Sequence, residues 1–178
     1  MKLLLILIFF TSLHTFAQNE DKILFEKGMT LQYAHYETDL LEMMLSNDSI
    51  KSKSANKIVN QLQEQAIYQY NQFLKEFPNS NLLTDVLYQK AEALYSIGLN
   101  LEAKENFLKV ISINPKKGKS LLRLASIELE LKNYSEALKY IEERKKLNVL
   151  FFCGVARESE LNQIMFIEEK CRIAIAKK

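Results

Sequence analysis

The sequence predicts an all-α protein, an α-solenoid of stacked antiparallel helix hairpins. Only four Gly and two Pro occur among the 178 residues, which leaves little material for turns and favours helices. The 48% hydrophobic and 26% charged contents are typical of a folded chain. A framework of residues also recurs after 34 positions, a period typical of helix-turn-helix repeats.

The first element, residues 1–17, predicts a cleaved secretory signal. Its second residue is Lys, and the eight residues from Leu3 to Phe10 are all apolar. Thr15 and Ala17 supply the small residues that a signal peptidase needs, and eight apolar residues are too few to span a bilayer, which takes about 20. The ending Thr-Phe-Ala-Gln resembles signal peptides of Bacteroidetes, and the absence of a Cys there argues against a lipid anchor. We therefore expect the mature chain, 18–178, to form one domain that is periplasmic or secreted.

The central elements are two copies of one unit, residues 84–117 and 118–151. The matched positions are Leu87 and Leu121, Ala91 and Ala125, Glu102 and Glu136, Ala103 and Ala137, and Phe107 and Ile141. Each copy predicts a helix, a tight turn near Gly98 or Asn133, and a second helix, which Pro115 ends in the first copy. The Ala residues let the two helices cross closely, while Asn106 is expected to be exposed.

These residues resemble the tetratricopeptide repeat. That motif has a small residue at position 8, Ala at 20, a large aromatic residue at 24 and Pro at 32. The matching residues of the first copy are Ala91, Ala103, Phe107 and Pro115. The second copy departs from the motif, since Arg144 stands where Ala is usual. The resemblance implies stacked hairpins with a concave wall formed by the first helix of each pair.

A degenerate third copy, residues 22–81, precedes these two. Ala66 to Ser80 predicts its second helix and is similar to a stretch of envelope tetratricopeptide proteins, including the Tol-Pal coordinator and outer-membrane assembly lipoproteins. The apolar periodicity from Ile23 to Leu45 predicts its first helix. The polar stretch from Ser46 to Asn56 would then be an enlarged loop.

The C-terminal part predicts a connector and a capping helix. Residues 147–155 are mostly large and apolar, and we interpret them as a buried connector, with a short strand or a partner-docking segment as the alternative. Residues 158–176 have the spacing of an amphipathic helix with one apolar face. Such a helix would cap the last repeat with a polar outer side.

The sequence contains little that could support catalysis or cofactor binding. The net charge of +2 excludes a broad electrostatic field for nucleic acid. His35 is the only His after the leader, four scattered Gly residues cannot form a phosphate loop, and Cys153 and Cys171 lack metal-binding spacing. We therefore expect no cofactor, no metal site and no enzymatic activity. Two unpaired thiols are favoured over a disulfide, because an intervening helix would separate them.

The resemblance to tetratricopeptide repeats implies a partner-binding groove. Carried over from the family's peptide-contacting positions, its residues are Asp85, Tyr88, Glu92 and Tyr95 in the first copy and Lys119, Leu122, Ser126 and Leu129 in the second. Tyr88 and Tyr95 are of the kind that anchors interfaces. Alternatively, the N-terminal helix or the capping helix fills the groove.

The predicted function is therefore a non-enzymatic interaction module of the bacterial envelope that holds a peptide segment or helix of another envelope protein. One alternative is a structural protein that self-associates through the 147–155 connector. Another is an enzyme with Cys153 as the nucleophile, for which only His35 could act as a base.

Overall fold

The computed structural model describes residues 20–36, 39–147 and 154–177, and all regular structure within these ranges is helical. The all-α fold class is thus confirmed. The chain packs as two compact units that divide after Leu99. The proposed leader lies outside the described residues.

Within the described residues, the first unit contains four α-helices and one 3₁₀ turn. They are α1 (20–33), the 3₁₀ turn Ala34–Tyr36, α2 (Leu40–Met44), α3 (Ser49–Glu76) and α4 (Leu83–Ser96). The second unit contains α5 (Asn100–Ile113), α6 (Gly118–Glu130), α7 (Tyr134–Lys146) and α8 (Gly154–Ala176). The predicted turns around Gly98 and Asn133 are confirmed, as is the end of a helix before Pro115.

The loop predicted from Ser46 to Asn56 is wrong, because α3 begins at Ser49. The Asp48 carboxylate accepts hydrogen bonds from the backbone N–H groups of Ile50 at 2.9 Å and Lys51 at 3.3 Å. This N-cap satisfies donors that the first helical turn leaves unpaired. The stretch is polar because most of this part of the helix faces solvent, with Ala55 as its buried contact.

The single helix predicted from Ile23 to Leu45 is also wrong. Helix α1 ends at Tyr33, a 3₁₀ turn follows, and α2 begins only at Leu40. Aromatic residues, Thr and Asp are poorer helix formers than the residues around them, and they are concentrated at this break. Apolar periodicity indicated both helices but did not reveal the interruption between them.

Tyr70 lies at the centre of the first unit's core and is fully buried. Its hydroxyl donates to Gln32 Oε1 at 2.6 Å, which joins α3 to α1. Gly28 lies directly against the Tyr70 ring, where a Cβ atom would collide with it. Ala66 and Phe73 extend this core along α3. Helix α1 can therefore approach α3 closely only because position 28 has no side chain.

The second unit stacks α5, α6, α7 and α8 in succession, with α8 also contacting α6. A Lys–Glu ion pair occurs at two equivalent helix–helix junctions. Lys104 Nζ on α5 lies 2.6 Å from Glu128 Oε1 on α6, and Lys145 on α7 pairs with Glu168 on α8. Hydrogen bonding to Glu128 raises the pKa of Lys104, as hydrogen bonding to Glu168 raises that of Lys145. Helix α8 is therefore held to α7 by the same type of ion pair that holds α6 to α5.

The expectation that Asn106 is exposed is wrong. Asn106 is 5% exposed, and its Nδ2 donates to the Glu102 carbonyl at 2.8 Å. It lies on the same side of α5 as Ala103, Phe107 and Val110, which are all fully buried. The NH2 group of this side chain is satisfied by its own helix backbone, whereas its Oδ1 atom is buried without a hydrogen-bond partner among the described residues.

Arg144, the departure from the repeat motif, is buried at the junction of α7 and α8. Its guanidinium pairs with Glu160, and both side chains are nearly inaccessible to solvent. A Cβ at Gly118 would lie 2.6 Å from Arg144 Nε. Gly118 therefore makes space for an Arg where the repeat usually carries Ala.

Candidate partner-binding surface

Four of the predicted groove residues form one stripe on α4. Asp85, Tyr88, Glu92 and Tyr95 are spaced by three, four and three residues, so they lie on one side of the helix. All four are half-buried. The stripe presents two aromatic rings and two carboxylates, which can contact both apolar and cationic groups of a partner.

Helix α1 lies next to this stripe within the first unit. The Tyr33 hydroxyl donates to Gln89 Oε1 of α4 at 3.0 Å. The Tyr33 and Tyr36 rings stack with centroids 6.1 Å apart, and the His35 ring lies 4.0 Å from that of Tyr36. Tyr36 is 62% exposed. This aromatic cluster was not predicted as part of the surface, and its sign in the sequence is the pair of tyrosines at 33 and 36.

The other four predicted groove residues have the same spacing on α6, but they are less uniform in exposure. Lys119 is exposed, whereas Ser126 and Leu129 are half-buried. Leu122 is only 6% exposed, so it serves the core and offers a partner little area. The two stripes belong to different compact units.

Helix α8 contacts the α6 stripe. Gln163 Nε2 donates to Ser126 Oγ at 3.1 Å, and Ser126 Oγ in turn donates to the Leu122 carbonyl at 3.1 Å. Ser126 is therefore bonded to the capping helix within the second unit. Leu129 and Lys119 are left as the outward members of this stripe.

The described residues offer little reactive chemistry. Within 20–36, 39–147 and 154–177, no group of three His, Cys, Asp or Glu side chains is placed to hold a metal ion. Cys171 is a free, buried thiol, and burial raises its pKa, which opposes formation of the nucleophilic thiolate. Cys153 lies outside the described residues. Among those described, no helix is both long and apolar enough to cross a bilayer.

Comparison with known families agrees with this geometry. Residues 84–117 and 118–148 match a tetratricopeptide repeat model, and residues 57–80 match a second model of the same description. Together these segments make up half of the chain. A comparison with curated proteins gives no significant match. The matched segments coincide with α4 to α7 and the C-terminal part of α3, and the chain belongs to the tetratricopeptide repeat family.

Proposed function

We propose that this protein is a non-enzymatic interaction module of the bacterial cell envelope that binds a peptide segment or helix of a partner protein. Tetratricopeptide repeats generally mediate protein–protein interaction. The observation that carries the proposal is the α4 stripe. Its two tyrosines are half-buried, so each leaves part of its surface accessible to a partner, and Tyr side chains are of the kind that anchors interfaces.

The charge of the α4 stripe favours one class of partner segment. Asp85 and Glu92 alternate with Tyr88 and Tyr95 along one side of the helix. A segment with Lys or Arg next to apolar residues would match both the negative charge and the aromatic character of this stripe. The exposed Tyr36 ring would extend this surface within the first unit.

Export to the envelope rests on the leader sequence. Residues 1–17 combine an early Lys, a short apolar run and small residues before the expected cleavage after Ala17. Mass spectrometry of the protein recovered from the periplasm or medium of its host tests this step. A mature N-terminus at Gln18 supports export, whereas an intact leader in the cytosol contradicts it.

The binding step is tested by affinity capture from the host's envelope extract. We expect the wild-type protein to retain a discrete partner that the Tyr88→Ala/Tyr95→Ala variant loses. Tyr68→Ala is the matched control, since Tyr68 is an exposed ring on α3, outside the stripe. Equal capture by wild type and the double variant, with unchanged circular dichroism, would contradict the proposal.

A further inference from the structure

Helix α8 has the position of the first helix of another repeat. Adding 40 to the residue numbers of α6 aligns Glu128 with Glu168, the two acidic partners of the recurring Lys–Glu ion pair. The same shift aligns Leu124 with Ile164 and Ile127 with Ile167. All four of these apolar residues are buried. The side of α8 that faces α7 therefore corresponds to the side of α6 that faces α5.

The other side of α8 differs from that of α6. Leu121 and Ala125 are 4% and 0% exposed on α6, which packs against both α5 and α7. Their counterparts on α8, Leu161 and Met165, are 48% and 64% exposed. The surface that a second helix would cover is thus open and apolar, contrary to the predicted polar outer side.

The charges on this open side are arranged for a second copy of the same helix. Glu158 and Arg172 each lie seven residues from Met165, on opposite sides of it along the chain. Seven residues are almost two helical turns, so all three side chains lie on one side of α8. Two copies that cross antiparallel at Met165 place each Glu158 against the Arg172 of the other copy. A parallel pair would instead oppose like charges, which is unfavourable.

We propose that the protein forms a homodimer in which the two α8 helices pack antiparallel about a two-fold axis at Met165. Each α8 then covers the Leu161–Met165 side of the other, as α7 covers the corresponding side of α6. This contact is distinct from the α4 stripe and does not depend on the proposed binding function. It also places self-association on α8 rather than on the 147–155 connector, of which residues 148–153 lie outside the described residues.

The size of the contact sets the expected affinity. A single helix pair buries less surface than a standard interface of about 1,600 Å². We therefore expect a reversible dimer with a dissociation constant on the order of 10 µM. Sedimentation equilibrium of the protein expressed from its full sequence, at roughly 1 to 200 µM, spans the transition. A monomer throughout that range would overturn the proposal.

The Met165→Glu variant and a matched control test whether the contact lies on α8. Met165→Glu should raise the dissociation constant by at least about tenfold, because it places two carboxylates at the two-fold axis. Leu101→Glu on α5 is the control, with 63% exposure against 64% for Met165. It should leave the dimer unchanged. Equal weakening by both variants, or by neither, would overturn the assignment to α8.

The charge pair tests the antiparallel register. Glu158→Arg and Arg172→Glu should each weaken the dimer, and the double variant should restore it, because the exchanged charges again oppose each other. Circular dichroism should be unchanged in each variant, since both residues are exposed on the helix surface. Failure of the double variant to recover affinity would exclude this register. A stable complex of α8 with a different protein, in place of the dimer, would also overturn the proposal.

Discussion

Gly98 and Lys132, separated by one repeat of 34 residues, hold the same left-handed turn, with φ of 80° and 63°. In each turn, a backbone hydrogen bond from the residue after the left-handed position closes the end of the preceding helix. Leu99 N–H donates to the Leu94 carbonyl at 3.0 Å, and Asn133 N–H donates to the Glu128 carbonyl at 2.8 Å. The repeat therefore conserves the shape of this turn even where Gly is replaced by Lys.

Lys132→Gly should stabilise the protein by about 0.5–1 kcal/mol, because a residue with a Cβ is strained at positive φ and Gly is not. The gain is partly offset by the larger entropy of Gly in the unfolded chain. Urea denaturation followed by circular dichroism measures the change. As a control, Lys109→Gly in the interior of α5 should instead destabilise by about 1 kcal/mol. Destabilisation by Lys132→Gly would show that this turn is not strained.

Removing one member of the buried Arg144–Glu160 pair should destabilise the protein strongly, whereas replacing both members with apolar residues should not. Arg144→Met leaves a nearly inaccessible carboxylate unpaired, and we expect a loss of about 3 kcal/mol. The Arg144→Met/Glu160→Leu variant should recover most of that loss, because both charges are then removed together. Lys146→Met, at an exposed site on the same helix, should change stability by less than about 0.5 kcal/mol. A double variant that is no more stable than Arg144→Met would contradict the direct coupling.

Stability should fall as the pH rises above 10, and Tyr70 should contribute to that fall. Burial raises the pKa of Tyr70 above its ordinary value of 10.0, and Tyr33 adds to the increase. The phenol ionises first in the unfolded chain, so the unfolded state binds fewer protons and the free energy of unfolding decreases in this pH window.

Tyr70→Phe should therefore flatten the pH dependence above 10 while costing about 1 kcal/mol at neutral pH, since Gln32 loses its donor. Denaturation series at several pH values measure both effects. Tyr68→Phe removes an exposed phenol on the same helix and should leave the pH profile unchanged. An equally steep decline in Tyr70→Phe would exclude Tyr70 as its source.

Ala103→Phe tests the repeat packing. Ala103 is fully buried, so a ring at this position must displace its neighbours at a cost of about 1–3 kcal/mol. Glu105→Phe is the matched control, because Glu105 is exposed on the same helix and its replacement should change stability by no more than about 0.5 kcal/mol. Equal losses of stability would mean that the buried side of α5 is assigned incorrectly.

The repeat could be predicted from the sequence because its features follow from sterics. Ala stands where two helices cross closely, Pro stands where a helix ends, and both features belong to a unit with a fixed period of 34 residues. The N-cap at Asp48 was not predicted, because the residues that follow it are polar, as in a loop. The helix propensity of those residues, together with the cap, nevertheless allows a helix. Asn106 was expected at the surface but is buried. Its hydrogen bond to the Glu102 carbonyl, which lets the amide be buried, depends on geometry that composition does not reveal.

The candidate surface was only partly predictable. The family's contact positions indicated the α4 stripe, but not the Tyr33–Gln89 hydrogen bond that places α1 beside it. They also assigned Leu122 to the groove, whereas the packing of the second unit buries it. The open side of α8 could not be predicted, because apolar spacing shows which residues could be covered but not whether a covering helix exists.

Photo-crosslinking in the living host tests the central claim most directly, that the α4 stripe binds a partner protein. A photoreactive residue at Tyr95 is compared with one at Glu143, which is also half-buried but lies on α7. We predict one discrete covalent product from position 95, with a distinct envelope protein identified by mass spectrometry, and none from position 143. The same product from both positions, or no product from position 95 in correctly exported protein, would contradict the account.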